Sequence, residues 1–529
     1  MNFRQSRTVL LTAALVGLYV GARLWRLTGT CLWFDELFGV HAARHTWPGL
    51  WRFVAADLIH PPLFYALLKV WVPAGGESLL WLRLFPVVAS VAALVPLLLL
   101  ARELRLSATA TNIALLVAGT NGYLIKYAQE VRMYGLLLLL TLTSLWLFAR
   151  LLNKRDGARG LFVALFFVNL LLVYTHYYGW LVVACEGAFL ALRERRRLGA
   201  FALTCAGLCV AYVPWVWACV SAAGAGGGLA QNIGWIGRPG AGDLVELFAL
   251  FNQPFYFRQS SADPIYGRGG ALLGLLLVGL PVAALLFERM RRGRADQVDA
   301  DAGAADSRDD ATAAFLLTFT LLPVALAFVA SYVLPQSVWG TRHLIVASGP
   351  YALLAGLVLG RLRPAWLKTS ALLLLCCWAA LVGALGLARR QAAHVWCAWE
   401  GLAASAARDD GAGAGDVYAF EDLVAYHLWF ALSGSGRFRV VSVEGAPGVA
   451  EDPGYFLPRD FDGVAVANTD ALRGERFWAA FRDADWDESR QPLKLITERG
   501  YRAERVYEAS AQGQRAFLVL FVRAGREGN

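Results

Sequence analysis

The chain has 529 residues, 57% of them hydrophobic and 17% charged, with a mean hydropathy of +0.48, whereas soluble domains carry about a quarter charged residues. This excludes a single water-soluble globule. The net charge of +9 does not indicate nucleic acid, because the arginines gather in short clusters between apolar runs, as at Arg193, Arg195, Arg196 and Arg197, which is the positive-inside pattern of membrane proteins.

The first apolar run, 8–28, follows Arg4 and Arg7 and lacks a small-residue cleavage site, so it reads as a retained helix rather than a signal peptide. Further runs at 82–101, 108–123, 133–151, 160–176, 178–192, 199–220, 270–288, 313–333, 343–360 and 367–388 predict about eleven transmembrane helices. Basic clusters at 102–105, 154–159, 193–197, 289–294 and 361–368 share one side with the N terminus, which makes that side cytoplasmic. The opposite side receives a first outward loop, 29–81, then 123–132, the turn at His176, the loop 221–269, the link 334–342 and the tail. Residues 293–311, rich in Asp, Ala and Gly, read as a cytoplasmic loop. The eight cysteines form no CxxC and mostly fall in apolar runs, so they read as small core residues.

Past the GAGAG stretch at 411–415 charge returns and the apolar runs shorten. Strands are expected at 416–420 and 438–443, helices at 421–432, 474–483 and 492–500, and a final strand pair split by AQGQ. The fold class is therefore an α-helical polytopic membrane protein, with a membrane domain over 1–390 and a small extracytoplasmic α/β domain over 391–529.

Polar residues concentrate at the outward ends of the spans. WFDE places Asp35 and Glu36 just beyond the first helix, where a carboxylate can take a proton from a hydroxyl or ligate a divalent metal. HPPLFY follows with His60, its prolines setting the chain direction before a helix. KYAQEVRMY crowds Lys126, Glu130, Arg132 and Tyr134 together, and in a continuous helix Glu130 would share a face with Tyr134 and with Lys126. His176 lies in YTHYYGW, whose aromatics read as an interfacial belt. Arg342 and His343 open a later span, and a guanidinium there is a natural clamp for a lipid phosphate.

In order and spacing, WFDE at 33–36, HPPLFY at 60–65, Arg83, YAQEVRMYGLL at 127–137, YTHYYG at 174–179 and TRHLIVASGPY at 341–351 resemble the GT-C glycosyltransferases. The likeness is to the dolichyl-phosphate-mannose protein mannosyltransferase and aminoarabinose-transferase superfamily, over roughly 1–390. His343 stands where that family usually carries Tyr. The resemblance implies inverting transfer of a sugar from a polyprenyl-phosphate carrier to a lipid, polysaccharide or protein acceptor at the outer face of the cytoplasmic membrane. It makes Asp35 the base, with Glu36 supporting it or helping to hold a metal. It gives Arg132, Arg342, Lys126 and Arg83 to the phosphate, and His60, Glu130 and His176 to the sugar. Metal dependence stays open, with Asp35 and Glu36 as the ligand candidates and no other cofactor implied. The rival from another class is a lipid or glycolipid transporter or flippase, which predicts charges near the middle of the spans.

Overall fold

A computed structural model describes every residue except 1–2, 155–156, 225–232, 235, 256–266, 287–302, 389–394, 410–412, 445–462, 512–513 and 525–529. The chain forms two compact units, one of Met1–Leu27, Leu58–Leu67 and Leu80–Arg389, the other of Thr28–Asp57, Leu68–Leu79 and Arg390–Asn529.

The first unit is helical. Among the described residues eight helices are long and apolar enough to cross a membrane: Ser6–Leu24, Leu79–Glu103, Tyr134–Asn153, Arg195–Gly224, Arg268–Leu286, Asp310–Val333, Thr341–Arg361 and Ala365–Ala388. The remaining three expected spans are also helices, Ala108–Thr120, Arg159–Thr175 and Gly179–Arg193, of 13, 17 and 15 residues, shorter than the ~20 that cover a bilayer core. Residues 303–311, expected as loop, begin the helix Gly303–Val333. Alanines favour the helix. The expected loop residues 293–302 and the basic cluster at 289–294 lie wholly or mostly outside the described residues.

Three apolar helices of this unit carry a polar trio that their composition hides. Ser144 donates to Glu186 Oε1 at 2.6 Å and Asn169 Nδ2 to Glu186 Oε2 at 2.8 Å, all three side chains being fully buried. The trio satisfies itself and so ties the helices together.

The second unit is built on a six-stranded sheet of order β3-β2-β1-β4-β6-β5, comprising β1 (Gly415–Ala419), β2 (Phe438–Glu444), β3 (Ala465–Asn468), β4 (Arg476–Asp483), β5 (Tyr501–Ala511) and β6 (Gln514–Arg523). β3, β2, β1 and β4 run parallel, and β6 is antiparallel to both of its neighbours, β4 and β5. One face packs Phe477, Phe481, Phe517 and Phe521 with Ile496 of the helix Leu493–Glu498. Helices Ala398–Arg408 and Asp422–Leu432 also pack against strands of the sheet. The helix expected near 474–483 is β4 instead, because RFWAAFRD is buried along nearly its whole length between β1 and β6. A continuous apolar run of that size carries no period that separates strand from helix.

Helices from the first outward loop belong to this unit. Phe34 of Phe34–Arg44 meets Tyr426 at 4.8 Å between ring centroids, and Arg44 lies 4.4 Å over the Trp429 ring while its Nε donates to Glu77 at 2.9 Å. Cys31 and Cys397, read from sequence as core residues, form a disulfide across 366 residues. Replacing both by serine is expected to destabilise this unit by about 2–4 kcal/mol, read as a lower unfolding temperature, with mobility on non-reducing gels reporting the bond itself.

Candidate functional site

Four separate stretches of the first unit converge on one cluster. Leu58 enters it in the left-handed region, at φ 62°, and Pro61 and Pro62 then launch the helix Leu63–Gly75, which leaves His60 3% exposed. Arg132, 2% exposed, donates from Nη1 to the Tyr65 hydroxyl at 3.1 Å, and its Nη2 sits 3.2 Å from His60 Nε2. His176 lies 5.5 Å from His60 and 4.7 Å from His343 between ring centroids. Arg342 acts electrostatically on all three histidines.

Local sequence explains the placement of His176. The helix Arg159–Thr175 ends there in extended backbone, and the chain turns back at Gly179, where a Cβ would stand 2.8 Å from the Leu172 carbonyl oxygen. Only glycine allows that approach. The aromatics beside it, expected as an interfacial belt, pin neighbouring segments instead. Tyr178 is 6% exposed and donates to the Val338 carbonyl at 2.6 Å, and Tyr177 donates to the Leu58 carbonyl at 3.2 Å. From the helix Gly122–Gln129, Tyr123 likewise donates to the Thr341 carbonyl at 2.7 Å. The link before Arg342 and the turn before His60 are thereby fixed by phenol groups, a role that composition does not distinguish from an interfacial one.

The remaining expected residues divide by what they touch. Lys126 and Glu130 form an ion pair at 3.5 Å. The single helical face expected for Glu130 and Tyr134 does not form, because the helix Gly122–Gln129 stops and Glu130 is extended, with ψ 134°. Tyr134 instead stacks on His343 at 6.3 Å. Arg83, 5% exposed, donates to the Leu27 carbonyl at 2.8 Å, closing the end of the first helix. Asp35 and Glu36 lie in the second unit, in the first turn of Phe34–Arg44. Glu36 is 1% exposed and accepts the Trp33 backbone N–H at 3.0 Å, a helix-capping role, while Asp35 is partly exposed.

Burial, reinforced by Arg132, holds the His60 imidazolium well below its ordinary pKa, and burial with Arg132 and Arg342 holds His176 down to about 3. Both rings are neutral at pH 7. A histidine depressed in the fold contributes its full stability above the unfolded value near 6.5 and loses it as pH falls from there toward 3, by about 1.4 kcal/mol per pH unit for each ring. Thermal unfolding in detergent should therefore shift down steadily between pH 6.5 and 4.5, and less steeply in His176→Gln.

The cluster offers two guanidinium groups and three imidazoles in a water-poor place, a set of donors suited to an anion. One ring nitrogen from each of His60, His176 and His343 also lies within 4.8 Å of the other two, a spacing that metal sites share.

No family model matches the chain, and no curated protein matches it in sequence. Among solved structures it is similar to ArnT, an aminoarabinose transferase, from Cupriavidus metallidurans, crystallised with undecaprenyl phosphate. The two are 13% identical over 97% of this chain and 98% of that one, with a TM-score of 0.55. The chain has a GT-C fold. The apo form of the same ArnT is 13% identical over 98% of each chain with a TM-score of 0.46. The archaeal oligosaccharyltransferase AglB from Archaeoglobus fulgidus, in complex with an inhibitory peptide and a dolichol-phosphate, is 13% identical over 79% of this chain and 63% of that one, with a TM-score of 0.43. The GT-C fold expected from the ordered motifs is thus present, with a small sheet-containing domain at the C-terminal end.

Proposed function

We propose that the chain is an inverting glycosyltransferase that moves a sugar from a polyprenyl-phosphate carrier to an acceptor at the outer face of the cytoplasmic membrane. The observation that carries this is the cluster of buried Arg132, His60, His176 and His343 with the half-buried Arg342, assembled from the ends of apolar helices. A prenyl-phosphate sugar has its tail in lipid and its phosphate at headgroup depth, and a donor cluster at helix ends meets it there.

A second feature of the same unit suits the tail. An apolar cleft of about 490 Å³ is lined by Leu18, Ala22 and Trp25 on one side and Ala379, Gly383 and Leu387 on the other, with Arg26 also in its lining. The ArnT of similar fold was crystallised with undecaprenyl phosphate, a ligand of this class.

In this reading Arg132 and Arg342 neutralise the phosphate as it leaves, and His60 and Tyr134 flank the sugar. Asp35 is the base, assigned from its place in WFDE and not from a distance, and any divalent metal would be held at Asp35, since Glu36 accepts the Trp33 N–H at the helix start. The N terminus faces the cytoplasm, 1–390 forms the membrane domain, and 391–529 is extracytoplasmic. The Cys31–Cys397 bond supports that orientation for its own segments, since disulfides persist in oxidising compartments. The polar trio around Glu186 is closed on itself, so it offers a translocation path little and favours the transporter reading no further.

The test is sugar transfer by the purified protein in proteoliposomes from a panel of radiolabelled polyprenyl-phosphate sugars. Conversion of one donor with release of polyprenyl phosphate supports the reading. No conversion across the panel, together with movement of lipid between leaflets, replaces it with a flippase.

A further inference from the structure

His176 and His343 each end in an Nε2 atom that is buried and has no hydrogen-bond partner. Unmade hydrogen bonds of this kind are costly, so two of them facing one cluster imply a ligand. Three close imidazoles suggest zinc at first sight. The tautomer of His176 argues otherwise. The Tyr178 backbone N–H donates to His176 Nδ1 at 3.0 Å, so in the neutral ring the proton lies on Nε2. A metal-ligating histidine has the opposite arrangement, with its second nitrogen donating to a carbonyl or carboxylate and its lone pair facing the ion. At His60 the Arg132 guanidinium stands 3.2 Å from Nε2 and 3.3 Å from Nδ1, competing for the lone pair that a cation would need. The charges acting on His176 are those of Arg132 and Arg342, which repel a cation and attract an anion.

We propose that His176 is a fixed, neutral Nε2–H donor to a non-bridging oxygen of a phosphate ester, and that the three-histidine cluster is an anion cradle rather than a metal site. This rests on the prenyl-phosphate sugar reading above. In the transfer, the acceptor oxygen bonds to the anomeric carbon and the bond from that carbon to the phosphate oxygen breaks. Its electron pair goes to the phosphate, and the hydroxyl proton goes to Asp35. His176 keeps its proton throughout, and its N–H···O bond strengthens as negative charge grows on the phosphate, so it serves the transition state more than the ground state. Inorganic phosphate presents the same oxygens without the tail.

The experiment uses full-length protein in phosphatidylcholine nanodiscs. Wild type, His176→Gln and His176→Ala are each titrated with undecaprenyl phosphate, with inorganic phosphate and with cobalt(II), and the ring tautomer is read from ¹⁵N-histidine spectra of a chain holding only seven histidines. The expected result is an Nε2–H tautomer at His176. In His176→Ala, undecaprenyl phosphate should bind about tenfold more weakly and transfer should fall by about a hundredfold. His176→Gln, which retains an N–H donor, should stay within about threefold of wild type in binding. A loss confined to undecaprenyl phosphate identifies the lipid headgroup as the ligand, whereas an equal loss for inorganic phosphate identifies the free anion, and both support the cradle. Stoichiometric cobalt bound by wild type and lost in His176→Ala overturns it, as does unchanged phosphate affinity in that variant. If His176-dependent phosphate binding persists while no sugar is ever transferred, the transferase reading fails and the cradle stands.

Discussion

Asparagine in place of Asp35 is expected to lower sugar transfer by at least about two orders of magnitude while leaving the unfolding temperature within error of wild type. The side chain keeps its shape and loses only its ability to accept a proton. The adjacent carboxylate serves as the control, because Glu36 is buried and caps the Trp33 N–H, whereas Asp35 is partly exposed at the same helix start. Glu36→Gln should therefore cost about 1 kcal/mol of stability and retain most of the transfer rate. Initial rates with a radiolabelled polyprenyl-phosphate sugar and calorimetry on both variants separate the two roles. An active Asp35→Asn beside an inactive but folded Glu36→Gln would move the base to Glu36.

Arg132→Gln is expected to reduce kcat/KM by about a hundredfold to a thousandfold, the loss seen when one donor to a developing oxyanion is removed. Arg132 is 2% exposed and held by Tyr65 and His60, so its charge is oriented before substrate arrives and little is lost to reorganisation. Glutamine can still hydrogen-bond Tyr65 but brings no charge. Arg132→Lys keeps the charge as a point without the planar fork and should lie between glutamine and wild type. The measurement is kcat and KM for each variant against the donor lipid. A pure rise in KM with unchanged kcat would assign Arg132 to ground-state binding alone.

Much of the molecule was legible along the chain. Lipid demands long apolar helices whatever their neighbours, so every expected span reads as a helix, and eight of them have the length of a full crossing. Turn chemistry also carried local information. Pro61 and Pro62 launch the helix at Leu63, and Gly179 closes the turn after His176. The motif residues His60, Arg132, His176, Arg342 and His343 could be named one by one, because charge and imidazole at the ends of apolar runs are expensive unless used.

What the chain could not disclose is which polar groups meet. Cys31 and Cys397 look like any other small residues until they are seen 5.2 Å apart between Cα atoms. Glu186 looks like an isolated charge in an apolar run until Ser144 and Asn169 reach it from two other helices. Glu130 and Tyr134 obey a helical spacing that the end of Gly122–Gln129 cancels, and β4 is a strand because β1 and β6 flank it. The tautomer of His176 was likewise invisible, since it depends on one backbone N–H turning back at Tyr178. The sequence by itself determined which segments are apolar and which polar, and with that pattern the helical spans. Only the tertiary structure decided the pairings and protonation states, because hydrogen bonds and ion pairs depend on distances of a few ångströms between residues that the sequence holds far apart.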